Sequence, residues 1–562
     1  MRILRILGIV IGCLIVLIIA ALVALRLAIN PNDYKGRIEA AVKSSTGREL
    51  SLPGNIRLSV FPWIAVELGP ASLGNPPGFP SNEPFASVQR ASLRVALLPL
   101  LRKQLEVGHI EIEGLDLHLL ENAQGRTNWQ MSSDKSAPPP PSGSSTVQLR
   151  GVAGLAVKAS RVSYQDMVAD HVDLTIGRVA EGVPVPLKWS LDLTTSPGAK
   201  PIPISGAATV EYQANSARLE SLNARLDASR LRGNAAITNL ATGAMKFDLS
   251  LDQIDLDRYL TPASSKPKPA PQPAATAAAQ QTELPTSALK TLKLNGKLAI
   301  GSATVYGVKV TQVRVGMDAN DGVLRIAPAT AKLYGGDYTG TVTLDAHGSV
   351  PVLHLDQNLA GIAVEPLLKD FAKIDRLTGR GNVTMNVTAH GQTSDALLRT
   401  LDGHAAANLA NGAIRGLNLW ADIDRAVALA QRRAPTGGST GNETKFDAFK
   451  LSADIMNGVA STKDLNITSG ALRVAGQGTT NLATEAINYR LNATILKGAA
   501  SAGAQGGGTL ADVPLLVTGK LASPSVRPDV QAVARSFAQK QLEKHKGEVQ
   551  QKLQSVLKGL IH

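Results

Sequence analysis

The run His109 to Leu119 (HIEIEGLDLHL) carries the pattern that limits what most of this chain can become. Ile110 and Ile112 alternate with Glu111 and Glu113, the phase shifts at Gly114, and Leu115, Leu117 and Leu119 then alternate with Asp116 and His118. A period of two sends successive side chains to opposite faces of a strand, so each run makes one apolar face and one wet face. The same grammar returns in Lys246 to Leu256, Leu292 to Val315, Ala331 to Leu344, Gly381 to Ala389, Leu465 to Ala475 and Ile487 to Ile495. Gly or Asn punctuates nearly every run, which predicts a mostly antiparallel β architecture and not alternating β and α units.

Helical spacing is rare by comparison. Asn32 to Thr46 reads as a short amphipathic helix with Ile38, Ala41 and Val42 on one face and Gly47 as its stop. Val364 to Lys373, Thr393 to Leu401 and Leu417 to Ala430 read as helical interruptions between strands, and Pro528 to Ile561 as a basic amphipathic helix. That last helix has two readings, a membrane-surface element or a cap over the open end of a sheet. Low-complexity segments at Ser132 to Ser145 and Pro262 to Pro285 read as extended linkers or loops, and Pro435 to Asn442 and Ala499 to Gly508 as hairpin tips. The chain therefore divides into a tail (1–5), an anchor (6–25), an N-terminal β-region (26–131), a linker (132–148), a middle β-region (149–261), a linker (262–285), a C-terminal β-region (286–527) and the closing helix (528–562).

The anchor is the uncharged apolar span Ile6 to Leu25, centred near Leu14. At 1.5 Å per residue, roughly 20 helical residues cover the ~30 Å hydrocarbon core of a bilayer. Arg2 and Arg5 precede it as in a secretory signal, and no clean A-x-A cleavage site follows, so it reads as an uncleaved signal anchor. Arg26, Lys35, Arg37 and Lys43 lie beyond it, but long domains translocate largely regardless of charge. The reading is a single-pass membrane protein, its N-terminus cytoplasmic and its body outside the cytoplasm. The sole cysteine, Cys13, lies within the span, which excludes an intramolecular disulfide.

Aromatic residues make up only 4% of the chain, leaving little material for stacking on sugars or single-stranded nucleic acid. The net charge of +13 is diffuse, without the Lys/Arg block of a nucleic-acid arm. It suits anionic lipid head groups or ordinary solubility equally well. Metal-protease, nucleophile-elbow, phosphate-loop and EF-hand motifs are missing, and the histidines are scattered, so the reading assigns no catalytic residue, metal site or cofactor. What remains is the apolar face itself. Closed, it would fill sealed sandwiches; open, it would line a trough on the order of 100 to 200 Å long at about 4.8 Å per strand. An open face would shield acyl chains, at about 0.8 kcal/mol per methylene. The candidates for it are Ile110, Ile112, Leu115, Leu117, Leu119, Leu292, Leu294, Leu298, Ile300 and Val305.

The chain also resembles the AsmA-like proteins, inner-membrane-anchored periplasmic proteins of Gram-negative bacteria. The resemblance rests on ordered pieces. In the N-terminal part these are Thr46-Gly47-Arg48, Gly54-Asn55-Ile56, the turn Phe61-Pro62-Trp63, Leu73 with the turn Gly74-Asn75, Phe85 to Val88, Leu97 to Leu101 and Gly125 to Trp129. Further on come Val364 to Leu368, Leu377 to Gly381, Leu401-Asp402-Gly403, Asn411 to Leu419 and Gly519 with Pro524. Membership implies an elongated, curved β-groove of the bridge-like lipid-transfer type and a role in outer-membrane biogenesis through phospholipid movement. It brings no catalytic residues. The implied partners are phospholipids, the inner membrane and envelope or outer-membrane assembly proteins, with no nucleic acid. The rival reading is a non-transporting assembly factor affecting outer-membrane proteins and lipopolysaccharide level, for which the Phe61-Pro62-Trp63 and Gly74-Asn75 turns would be contact surfaces. An enzyme acting on envelope sugars or lipids comes third.

Overall fold

The computed structural model describes residues 30–59, 63–96, 104–122, 125–129, 148–180, 182–260, 286–419, 441–470, 472–496 and 509–529, with isolated positions at 421, 423, 425, 428, 434, 531, 532, 535, 546 and 547. The expected anchor with Ile6, Leu14 and Leu25, residues Phe61 and Pro62, and almost all of the two linkers and the closing helix lie outside the described residues. Among the described residues no helix is long and apolar enough to cross a membrane.

The chain is mostly β and divides into two compact units at Asp252. In the first unit, a 3-10 turn (Pro31–Tyr34) leads into α1 (Lys35–Thr46), which stops where the sequence places its stop, at Gly47 in a left-handed conformation. The expected apolar face of α1 is not buried: Ile38 is 40% exposed. The helix is held instead by polar contacts, Glu39 Oε1 accepting from the Leu52 amide at 2.9 Å and Lys43 pairing with Glu49 at 2.8 Å.

The strands of this unit are β1 (Leu50–Ser51), β2 (Ile56–Ser59), β3 (Trp63–Leu68), β4 (Ala71–Leu73), β5 (Ala86–Val88), β6 (Arg90–Ala96), β7 (Gln104–Glu113) and β8 (Asp116–Leu119). They continue with β9 (Gln148–Tyr164), β10 (Met167–Ile176), β11 (Val185–Thr194), β12 (Ile202–Gln213), β13 (Ser216–Leu226), β14 (Ser229–Asn239) and β15 (Ala244–Asp255). From β9 to β15 each strand pairs antiparallel with the next. The expected antiparallel order has one exception. β9 runs parallel to β7 along its first half and parallel to β8 along its second. A parallel partner requires a long crossover connection, and the Pro/Ser-rich stretch before β9 lies in the connection from β8.

The second unit contains α2 (Asp257–Leu260), α3 (Thr286–Thr291), α4 (Val364–Ala372) and α5 (Ser394–Arg399). Its strands are β16 (Leu294–Val305), β17 (Val308–Asn320), β18 (Val323–Leu333), β19 (Gly336–Asp345), β20 (Val352–Ala363), β21 (Arg380–His390) and β22 (Asp402–Arg415). They are followed by β23 (Glu443–Met456), β24 (Val459–Ser469), β25 (Leu472–Asn481), β26 (Ala486–Leu496), β27 (Thr509–Lys520) and β28 (Ser523–Pro528). All thirteen form one meander in which every strand pairs antiparallel with its sequence neighbour. Two runs that read as single strands prove to be hairpins, 292–315 turning at Tyr306-Gly307 and 331–344 at Tyr334-Gly335. At each turn both central residues have positive φ, 50° and 80° in the first and 46° and 78° in the second. Two-residue hairpins demand that combination because its twist matches the flanking strands.

Candidate functional site

Residues directly opposite one another in a β-ladder lie on the same face, so the register lets one face be followed strand by strand. In the first unit one row reads Ile56, Leu68, Ala91, Ile112, Val157, Leu174, Trp189, Gly206, Ala224, Leu231 and Leu251. Every member is apolar, and ten inter-strand steps of about 4.8 Å make the row on the order of 50 Å long. The next row on the opposite face reads Arg57, Glu67, Ser92, Glu111, Ala156, Thr175, Lys188, Ala207, Asn223, Arg232 and Ser250. After Ile56, which is buried, no member of the apolar row is buried; each is half-exposed. A Cβ at Gly206 would collide with the Trp189 indole, so the glycine gives the ring room to lie against the sheet.

The sequence candidates fall on this face. Ile110 pairs with Leu93 and Leu155, and Ile112 with Ala91 and Val157. Leu117 and Leu119, on the other side of the phase shift, pair with Val162 and Tyr164. β9 absorbs the shift through its own irregularity, with Ala159 at φ 46° and buried Ser160 accepting the Leu115 amide at 3.2 Å. Val162 is opposite Ala169, and Ala169 is opposite Leu193, which shares its face with Trp189. Both halves of the 109–119 pattern thus serve one surface. Leu115 sits half-buried between β7 and β8, outside either strand.

In the second unit Leu294, Leu298 and Ile300 share a face and are half-buried, while Leu292 precedes the strand. Val305 is the last residue of β16. β17 is irregular at Gln312 (φ 51°), where its register against β18 shifts, and Val305 faces Val308, which packs against a sealed core. That core joins Ile362, Leu409, Phe446, Ile467, Val474, Ala493 and Val513 with the helical residues Leu419 and Ile423. Leu367 and Leu368 of α4 pack on it as well. Along the row Met317, Ile326, Val342, Leu355, Val387, Gly403, Ile455, Ala460, Thr480 and Ile487, exposure is intermediate as far as Leu355. From Val387, at 2%, the row is largely closed.

The family-motif residues come together in a polar hub of the first unit. Asn128, fully buried, accepts from the Leu120 amide at 2.9 Å and donates to the His118 carbonyl at 2.7 Å and to Asn75 Oδ1 at 2.8 Å. Asn75 in turn donates to the Pro80 and Glu83 carbonyls, and the Gly74 amide donates to Glu49 O at 2.8 Å. Arg48, 5% exposed, donates to the Asn128 carbonyl at 2.6 Å and lies 4.5 Å over the Phe85 ring. Sequence reasoning found these motifs by resemblance but not their mutual contact, which spans up to 80 residues of chain and leaves no local signal. Trp63 behaves differently, 42% exposed on the polar side of β3.

On the wet face, Glu111 pairs with Lys158 at 2.5 Å, and that hydrogen bond holds its carboxyl below the usual range. A general acid at neutral pH needs the opposite shift. Among the described residues no group of three His, Cys, Asp or Glu side chains could hold a metal ion.

Comparison with known proteins agrees with the motif order. Residues 1–179 and 195–465 match the AsmA family profile. The chain is 24% identical over 546 residues to Protein AsmA of Escherichia coli (strain K12), an alignment covering 86% of this chain and 87% of that protein. No solved structure matches it. With a family match over most of its length, the chain belongs to the AsmA family.

Proposed function

We propose that this protein holds the acyl tails of phospholipids on its apolar β-face and, by passing them along that face, supports assembly of the bacterial outer membrane. In this reading Ile6 to Leu25 tether it to the inner membrane with the body in the periplasm, and the protein catalyses no reaction. The observation that carries the reading is the apolar row from Leu68 to Leu251. It continues across the strands of the first unit without a polar residue and is nowhere fully covered. A sheet that leaves one greasy face half-wet is unfavourable unless something else covers it, and large exposed apolar surface marks an interaction site. Alkyl tails fit a surface lined mainly by aliphatic side chains, in which the Trp189 indole N–H is the one side-chain hydrogen-bonding group of the row.

The test is lipid that co-purifies with the full chain. Ile112→Glu and Leu231→Glu each put a charge in the row, while Arg232→Glu changes the charge on the opposite face of the same strand. Quantified by mass spectrometry of extracted lipid, phospholipid per chain should fall severalfold in the first two and hold in the third. Wild-type lipid content in all three, with folding intact, would contradict the reading.

One observation favours a second reading, the assembly factor. The Gly74-Asn75 turn is engaged internally, but Trp63 offers an exposed indole on the polar side. If that surface carries the function, Trp63→Ala would weaken the outer-membrane barrier, scored as detergent and antibiotic sensitivity, at unchanged lipid content.

A further inference from the structure

The apolar face of the second unit is not of one kind. Its N-terminal strands present half-buried side chains at Met317, Ile326, Val342 and Leu355. Its C-terminal strands present Leu472, Val474, Ala493 and Val513 at 0% exposure. Leu419, Ile423 and the α4 side chains pack in one core with those residues and with Leu333 of β18 and Ile362 of β20. The covering pieces are fastened by polar bonds that a loosely lying helix would lack. Thr444, fully buried, accepts from the Leu419 amide at 3.0 Å and donates to Leu417 O at 2.8 Å. The Ala421 amide is capped by Asn418 Oδ1 at 3.0 Å. α4 is tied at one end by Arg415 to Glu365 at 2.5 Å and at the other by Tyr334 Oη to Asp370 at 2.7 Å.

We propose that the acyl-binding surface of the second unit is confined to the part of β17–β20 around Met317, Ile326, Val342 and Leu355 and ends at β21, because beyond it the chain's own side chains fill the face, around Val387, Ile455 and Ala460 along that row and under Leu419, Ile423 and α4 toward the other end of the strands. This rests on the lipid-binding reading above and adds a boundary to it. Alkyl tails and the Leu419/Ile423/Leu367 cluster compete for the same kind of surface, and buried apolar contact already made intramolecularly carries no association cost. A tail sliding along this unit therefore stops where the exposed row stops. The C-terminal strands act as a fixed wall and not as a continuation of the path.

The only native thiol, Cys13, allows a direct test once it is replaced in the full chain (Cys13→Ala). Single cysteines go in at Ala224→Cys (first unit, half-exposed), Val342→Cys (second unit, half-exposed), Val474→Cys and Ala493→Cys (sealed), all near-isosteric. The chain is reconstituted in phosphatidylethanolamine/phosphatidylglycerol nanodiscs. Alkylation by N-ethylmaleimide is then timed with and without dihexanoyl-phosphatidylglycerol kept below its micelle concentration, and urea midpoints report folding. The expected result is that Ala224→Cys and Val342→Cys react and are slowed about tenfold by near-saturating lipid. Val474→Cys and Ala493→Cys should react only in urea. Lipid-protected reactivity at Ala493→Cys or Val474→Cys would overturn the boundary while leaving the lipid reading intact, and so would an inert Val342→Cys beside a protected Ala224→Cys. Reaction at Ala224→Cys and Val342→Cys with no protection at either would overturn the lipid reading and the boundary with it.

Discussion

Asn128 shows how much one side chain can decide. Its amide satisfies three partners from two parts of the chain, and its own carbonyl receives the buried Arg48 guanidinium. Asn128→Ala leaves buried donors and acceptors unpaired and is expected to cost about 2 kcal/mol or more, read from the urea midpoint. A cost near zero would mean the hub is decorative. Tyr334 gives a pH-dependent counterpart. Burial, then its bond to Asp370, pushes its phenol from 10 up to about 12. Between those values the unfolded chain loses the proton while the folded chain keeps it. The folded state thus binds more protons, and stability falls as pH rises through the window. Tyr334→Phe removes that contribution, so unfolding followed from about pH 9 to 12 should show a shallower alkaline decline than wild type. An unchanged slope would mean the phenol is not held in this way.

At the scale of strands and turns, period-two alternation made the β class and the apolar face legible, and helical spacing made α4 and α5 legible. Alternation failed where two strands meet at a turn with an unusual residue. Asp321-Gly322 and Asn457-Gly458 carry the expected hairpin dipeptides, with both residues at positive φ. Tyr306-Gly307 and Tyr334-Gly335 adopt the same signs of φ, and tyrosine is no turn signal, so those hairpins read as single runs. Tyr306 is 68% exposed, so its ring is not what holds the turn; Asp257 accepts from the Tyr306 and Gly307 amides. Tyr306→Asn should therefore stabilise by about 0.5 kcal/mol, since Asn tolerates positive φ better. A destabilised variant in thermal or urea unfolding would mean the phenol ring contributes something the contacts do not reveal. The parallel pairing of β9 was equally hidden, because pairing direction is set by long-range topology and leaves no trace in local periodicity.

At the scale of each unit, the same binary pattern is put to two uses. In the first unit and at Met317, Ile326, Val342 and Leu355 it leaves a face half-exposed; around β22–β27, and at Leu333 and Ile362, it fills a sealed core with chain-supplied helices. Alternation in the sequence is the same in both, so which strands stay open was not legible there. It depends on whether a helix such as α4 returns to cover them. The central claim is that lipid touches one face of the sheet and not the other, and adjacent residues of one strand test it best. A photo-crosslinking amino acid placed in living cells at Leu222, Asn223, Leu231 and Arg232 samples alternate faces of β13 and β14 with nearly identical neighbours. Phospholipid adducts are expected at Leu222 and Leu231 and none at Asn223 and Arg232. Equal adducts at all four positions, or none at any, would contradict it.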